Sequence, residues 1–449
     1  MREVVHRVDA VFEPPAVFAE LPPVLDREWQ LCQLVHDRGP HLERDGPEVA
    51  LPAGLLTMPL VSWPSKTRLA ITILIFALFA TADNLLYGYT GLLSFGHAMF
   101  TVIAAYAAAK VFRIAGTSEP FTGLFGGTSV LASFLLALLA GMVAAALVGV
   151  VIGWFCVQRE EIYFALLTLS FSMLIWSLLH QDITGQLTAD VPAGLGGDTL
   201  YRLLRTGGSD GLPVSFRLLG ETDLFGVTVD LVDINSYLVY YFIVLAVTAL
   251  GMYAMWRVVR SPFGETCKAI RENPGRAEAL GIDRQFHSWI MFVVSGVFSG
   301  LAGAMFVPLR GGALPNMSHW SFSALPVIMT VVGGPYSFLG PVLGAFTFEY
   351  VRDLIATFAV LEKRWQLVFG LALLGVVLLL ENGVAGGLKW AAPRFRAWLR
   401  EARERYRADG LRGVGAFVAE TVLAWVRAAV ATVLAWLRWL LGRLVELAR

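Results

Sequence analysis

The stretch TSVLASFLLALLAGMVAAALVGVVIGWFCV, from Thr128 to Val157, runs for thirty residues without a charged side chain. A helix needs about 20 apolar residues to cross a bilayer, so this stretch is long enough on its own. The same pattern recurs on both sides of it. Upstream lie Leu69–Ala82, continuing past Asp83 to Tyr87, and Gly91–Ala109; downstream lie Ile162–Leu179, Ser236–Trp256, Gln285–Leu309, Phe322–Phe348 and Trp365–Leu380. The stretch Phe322–Phe348 is too long for one ordinary span and is interrupted by Gly333-Gly334-Pro335. Gly and Pro puncture helices, which predicts two shorter helices there. The expected fold is all-α: a polytopic membrane helix bundle of about nine membrane-embedded helices, some broken at Gly or Pro.

Composition agrees. Of the 449 residues 56% are apolar and only 16% charged, against roughly 25% charged in a soluble domain, which disfavours a water-soluble enzyme. Thirty-five Lys and Arg balance thirty-five Asp and Glu, so net charge gives no reason to expect nucleic acid as a partner. The balance is uneven along the chain. Residues 1–50 hold five Arg against ten acids, whereas residues 389–449 hold twelve Lys or Arg against five acids. Cys32, Cys156 and Cys267 are far apart, with no CxxC, so neither a disulfide framework nor a metal site is expected.

Three regions follow: an irregular, acidic, Pro-rich extension over 1–64, a membrane domain over 65–388, and a basic extension over 389–449. In the last, a broad apolar face, a narrow charged stripe (Arg412, Glu420, Arg427, Arg438, Arg449) and Trp425, Trp436 and Trp439 predict an amphipathic helix, lying in the membrane interface or packed on the bundle. Lys and Arg bias sets orientation. The loop 257–284 carries Arg257, Arg260, Lys268, Arg271, Arg276 and Arg284 and is expected in the cytoplasm, with the C-terminal tail on the same side. The stretch 181–235 has three Arg against eight acids and is expected outside.

Chemistry-bearing motifs are sparse. There is no GxxxxGK[ST] phosphate loop, no HExxH, and no His pair at helical spacing. The chain therefore has no recognisable site for hydrolysing ATP. The informative segment is Arg260-Ser-Pro-Phe-Gly264, then Lys268-Ala-Ile-Arg-Glu-Asn273 and Pro274-Gly-Arg-Ala-Glu-Ala-Leu-Gly281. It predicts two short helices, with Asn273 capping the second, Pro274 in its first turn and Gly281 at its left-handed end. A short stiff helix between two spans is suited to a groove on another protein.

This segment resembles the coupling loop of ABC importer permeases, and its form is similar to the branched-chain amino-acid permease family of the LivM type, relatives of which include urea permeases. Further segments resemble that family in the same order. They are Asn84-Leu-Leu-Tyr-Gly-Tyr-Thr-Gly-Leu-Leu-Ser-Phe-Gly-His97, Thr206-Gly-Gly-Ser-Asp-Gly-Leu212, Ser295-Gly-Val-Phe-Ser-Gly-Leu-Ala-Gly-Ala304 and Val332-Gly-Gly-Pro-Tyr-Ser-Phe-Leu-Gly-Pro341. The resemblance implies a permease without ATPase activity in a bacterial or archaeal plasma membrane. It binds no cofactor itself and works with a homologous second permease, two cytoplasmic ATPase subunits that use ATP, and an external solute-binding protein.

On that resemblance, Arg271, Glu272, Arg276, Glu278, Ala279 and Gly281 meet the ATPase. The break over Gly88–Gly96 is expected to expose backbone polar groups to a cavity, making Asp83, Asn84, Gly91, Ser94, Gly96 and His97 candidates for the solute path. Gly207, Gly208, Asp210 and Gly211 are candidates for an external contact or gate. Gly296, Gly300 and Gly303 share one helix face and predict close helix packing. Asp83 departs from the family's usual small residue, and a carboxylate inside an apolar span is usually paired or functional. Residues 182–205 read as an insertion. Two other classes remain open: a transporter driven by an ion gradient, and a structural membrane subunit.

Overall fold

The computed structural model describes residues 64–117, 129–158, 161–189, 204–214, 222–224, 227–229 and 237–357, with a few helical positions between 370 and 386. Helices α1 (Pro64–Thr90), α2 (Ala98–Thr117), α3 (Ser129–Cys156) and α4 (Glu161–His180) come first, followed by the short α5 (Ile183–Ala189). After an irregular stretch come α6 (Tyr237–Val259), α7 (Pro262–Glu272), α8 (Pro274–Ala279) and α9 (Arg284–Arg310), then α10 (Trp320–Gly333) and α11 (Gly340–Thr357). Four tiny strands complete the set: β1 (Leu212–Pro213), β2 (Thr222–Leu224), β3 (Val227–Val229) and β4 (Gly312–Ala313), with β1 antiparallel to β4 and β2 to β3.

The protein is an all-α polytopic bundle. Five helices, α1, α3, α4, α6 and α9, are long and apolar enough to cross a membrane, and α10 is a shorter apolar helix. The break expected within Phe322–Phe348 falls between α10 and α11, where Gly334 takes a φ of 107° as the α10 cap. The last expected span, Trp365–Leu380, lies mostly outside the described residues, as do the N-terminal extension and the amphipathic C-terminal helix. A count of nine is therefore not reached among the described residues.

Helix α9 is the hub, packing on α1, α2 and α3, while α1 also contacts α6, α10 and α11. The glycine face of α9 works as its spacing predicts. A Cβ on Gly300 would stand 2.5 Å from the Ala145 methyl of α3, and one on Gly303 would enter the Thr101 backbone of α2. In lipid, helices gain little from burying apolar surface against each other, so close approach at small residues has to supply the contact. Aromatic rings fill the rest. Phe76 of α1 meets Phe306 of α9 edge-on at 5.2 Å, and Phe79 stacks on Phe322 of α10 at 5.8 Å.

The start of α2 differs from the expected span. Residues Gly91–His97 are irregular and the helix begins only at Ala98, because Gly91 turns the chain at φ 80° and Gly96 sits tight against the Thr168 backbone of α4. The β1–β4 pair fastens the stretch after Thr206 to the C-terminal end of α9. The α7–α8 segment lies at the other end of that helix, about 40 Å away at 1.5 Å per residue.

Candidate functional site

The segment between α6 and α9 is built by its caps. Ser261 Oγ accepts from the Gly264 amide at 3.3 Å to open α7, and Asn273 Oδ1 accepts from the Arg276 amide at 3.0 Å to open α8. Helix α8 closes in a Schellman motif. The Gly281 amide donates to the Glu278 carbonyl at 2.9 Å and the Ile282 amide to the Ala277 carbonyl at 3.1 Å. Gly281 stands at φ 85°, with nothing within 4 Å of where a Cβ would be. Backbone conformation, not crowding, is what asks for glycine there.

The two faces of this segment differ in chemistry. Cys267, Ile270 and Ala277 are buried, and burial pushes the Cys267 thiol up to about 12, so it packs as an apolar side chain. Glu272, Arg276, Glu278, Ala279 and Gly281 face outward. Between them Leu280 stands 76% exposed. A leucine held open on a stiff turn and ringed by charge is suited to burial in a partner. Sequence reasoning left Leu280 out of the contact set; its place just before the left-handed glycine was the available signal.

Arg271 does not join the outward face. Its Nη1 donates to the Gly88 carbonyl near the end of α1, and its guanidinium lies 5.4 Å from the Tyr336 ring. Gly91 leaves room for it, since a Cβ there would come within 3.2 Å of Arg271 Cγ. Gly88 in turn abuts the Pro335 carbonyl, and Asn84 Nδ2 donates to the Ser337 carbonyl at 3.5 Å. The last turns of α1, which lead into the irregular stretch Gly91–His97, therefore touch the break at Gly334–Leu339, and the α7–α8 segment meets both through Arg271.

Deeper in the bundle the other path candidates pack together. Asp83, Asn84, Ser94 and His97 are all buried between helices. Ser94 Oγ accepts from the Gly96 amide at 3.3 Å. His97 Nδ1 lies 3.1 Å from Asp83 Oδ1, near enough for an ion pair but poorly aligned for a hydrogen bond. His97 Nε2 lies 2.5 Å from Ser295 Oγ on α9, a residue that sequence reasoning had quoted only as the start of a glycine-rich motif. Asp83 stands seven residues before Thr90, the end of α1 that Arg271 meets at Gly88.

At the opposite end, Gly207, Gly208 and Gly211 all take positive φ, and Thr206 ties the turn to Asp182, its Oγ1 donating to Asp182 Oδ1 at 2.7 Å. Gly211 is pressed against the Ala313 carbonyl. Asp210 is exposed. Residues Gly207–Gly211 also have the G-x-S-x-G spacing, yet Ser209 sits in a 3₁₀ turn rather than a strand-to-helix elbow. Its Oγ is directed at Asp210 Oδ1, 3.3 Å away. Nearby charges escaped the sequence reading: Lys66 pairs with Asp353 at 2.6 Å, and Arg352 approaches the buried Glu349 at 3.6 Å. Among the described residues no group of three His, Cys, Asp or Glu could hold a metal ion.

Long apolar helices packed through glycines, two helix breaks and a capped segment between spans define a multi-pass membrane protein. Its chain belongs to the family described as branched-chain amino acid transport system / permease component, whose family model matches residues 66–378. It is 26% identical over 350 residues to the high-affinity branched-chain amino acid transport system permease protein LivM of Escherichia coli, covering 73% of this chain and 76% of that one. Its identity to the LivM of Salmonella typhimurium is 27% over 308 residues, 66% of each chain. It is also 27% identical over 247 residues to the autoinducer 2 import system permease protein LsrC of Klebsiella pneumoniae, covering 52% of this chain and 66% of that one. No solved structure matches the chain.

Proposed function

We propose that this chain is the transmembrane permease subunit of an ABC importer that moves branched-chain amino acids, or a similar small solute, by alternating access. ATP is consumed by two separate cytoplasmic ATPase subunits. A homologous second permease completes the path, and an external solute-binding protein delivers the solute. The membrane is a bacterial or archaeal plasma membrane, with the α7–α8 segment and the C-terminus in the cytoplasm.

The observation that carries this is the α7–α8 segment. Its outward face, with Arg276, Glu278, Ala279, Leu280 and Gly281, offers a stiff knob for an ATPase groove. Its inward face places Arg271 on the ends of both helix breaks. Force applied at the knob has a direct route to the irregular segments nearest the solute path. Arg271 on this view transmits motion and is not itself a contact to the ATPase.

The LivM relatives favour branched-chain amino acids, whereas the LsrC relative and the likeness to urea permeases keep other small solutes in contention. The test is uptake into proteoliposomes holding the chain with its second permease, ATPases and binding protein, using radiolabelled leucine, urea and autoinducer 2 in parallel. Leucine uptake that needs internal ATP is the expected result. ATP-driven uptake of urea or autoinducer 2 alone would reassign the solute. Uptake without ATP that an uncoupler abolishes would replace the importer with a gradient-driven transporter.

A further inference from the structure

Asp83, His97 and Ser295 meet inside the bundle from three elements, α1, the start of α2, and α9. Their protons can be accounted for one by one. Ser295 has a single hydrogen, and its Oγ lies 2.5 Å from the Ala82 carbonyl, a group that can only accept. That hydrogen is therefore committed. His97 Nε2, 2.5 Å from the same Oγ, must then be the donor, which fixes a proton on Nε2 and turns Nδ1 toward Asp83.

Asp83 Oδ1 stands 3.1 Å from Nδ1. If the imidazole were neutral and the carboxyl ionised, an unprotonated Nδ1 would stand 3.1 Å from an anionic oxygen with no proton between them. Neither Asp83 oxygen has a hydrogen-bond donor among the described residues, and Asp83 is 1% exposed and His97 0%. A buried carboxylate with no donor, inside a membrane bundle, is an arrangement that proteins avoid. One proton on the pair removes the conflict. It sits either on the carboxyl, beside an unprotonated Nδ1, or on Nδ1, beside a carboxylate. Both forms are neutral overall.

We propose that Asp83 and His97 form a binding site for a single proton within the membrane bundle, and that this proton locks the irregular segment Gly91–His97 against α1 and α9. Around the pair, α1 contributes Tyr87, one turn toward the cytoplasmic end and within electrostatic reach of Asp83. From α9 come Ser295 and the Phe292 ring, and from α4 Thr168, none of which titrates. Arg271 and Tyr336 lie farther toward the cytoplasmic end, beside Gly88. Tyr106 and Lys110 follow on α2 in the opposite direction. The site belongs to this chain's own residues and stands whatever solute the protein moves.

The test is spectroscopic and uses the full chain in liposomes near neutral pH, with no transport measured. Infrared difference spectra against Asp83→Asn report a protonated carboxyl band for Asp83. Nitrogen-15 spectra of histidine-labelled protein, with His97 assigned through His97→Gln, report whether its ring carries one proton or two. Should His97→Gln fold poorly, Ser295→Ala identifies the same histidine by shifting its resonance. The expected result is one and only one signature: a protonated carboxyl with a neutral ring, or a doubly protonated ring with no carboxyl band. Neither signature, or both together, would overturn the single-proton site. Asp83→Asn, a neutral isostere, should also keep the detergent-solubilised protein folded at raised pH, where the wild type loses stability as the pair gives up its proton. Equal loss in both proteins would contradict the lock.

Discussion

Helices α1 and α4 are equally apolar by hydropathy, yet 89% of the apolar stretch of α1 is buried and only 17% of that of α4. Hydropathy reports what lipid tolerates, and both helices meet it. Packing is decided by the residues that hydropathy counts against a span. α1 carries Thr81, Asp83, Asn84 and Gly88 on surfaces that face neighbouring helices. α4's polar contacts gather at Ser172, whose Oγ donates to the Ser318 carbonyl and whose own carbonyl accepts from Ser318 Oγ, each at 2.9 Å, and at the Leu179 carbonyl, which accepts from Thr206 Oγ1 at 3.0 Å. The helix leaves Ile162, Tyr163, Leu166 and Leu174 exposed. Because lipid removes the hydrophobic drive between helices, small and polar side chains sort the interior from the periphery.

The contrast can be broken most severely at the interior. Gly303→Val on α9 has no room against the Thr101 backbone, and overpacking a rigid contact costs about 1–3 kcal/mol or more. The expected outcome is a fall of about tenfold or more in monodisperse protein recovered in mild detergent, read by size-exclusion chromatography, in line with that cost. A normal yield would mean that α2 and α9 are not in close contact.

An intermediate effect is expected at Arg271, where the interior meets the α7–α8 segment. Removing a charge-assisted hydrogen bond costs about 2 kcal/mol. Arg271→Gln should cut ATP-dependent solute uptake by about tenfold or more, the scale that such a loss sets, while ATP hydrolysis by the assembled complex persists. Parallel loss of both activities would make Arg271 a contact to the ATPase instead of a link to the helix breaks.

The smallest effect belongs to the periphery. Leu166→Ala on α4 should shift stability by no more than about 0.5 kcal/mol, since exposed positions away from special features are usually that tolerant. Thermal unfolding of the solubilised chain reads it. A clear loss confined to the complex would mean that the open face of α4 is covered by protein and not by lipid, which would sharpen the division between the two helix sets.

Much of this architecture was legible in the residues. Uncharged runs marked the spans, Gly333-Gly334-Pro335 marked the α10–α11 break, and Asn273, Pro274 and Gly281 marked the turns of α8. Each is a local signal, readable because caps and breakers act within one turn of the chain. Partners distant in sequence were not legible. Nothing around Arg271 announces Gly88, which is 183 positions away, and nothing around His97 announces Ser295 at a separation of 198. Asp83 could be singled out as costly, but only the packing of α9 supplied the serine that fixes which ring nitrogen it faces.

The central claim is that this permease is driven through the α7–α8 segment. The most direct test compares ATP-dependent leucine uptake by the reconstituted complex with that of the double variant Glu278→Lys and Gly281→Pro. Proline cannot adopt the φ of 85° found at position 281 and has no amide to donate to the position-278 carbonyl, so the knob loses its shape while lysine reverses its charge. Near-complete loss of uptake from a chain that still assembles in the membrane is the predicted result. Uptake equal to that of the unmodified protein would contradict it.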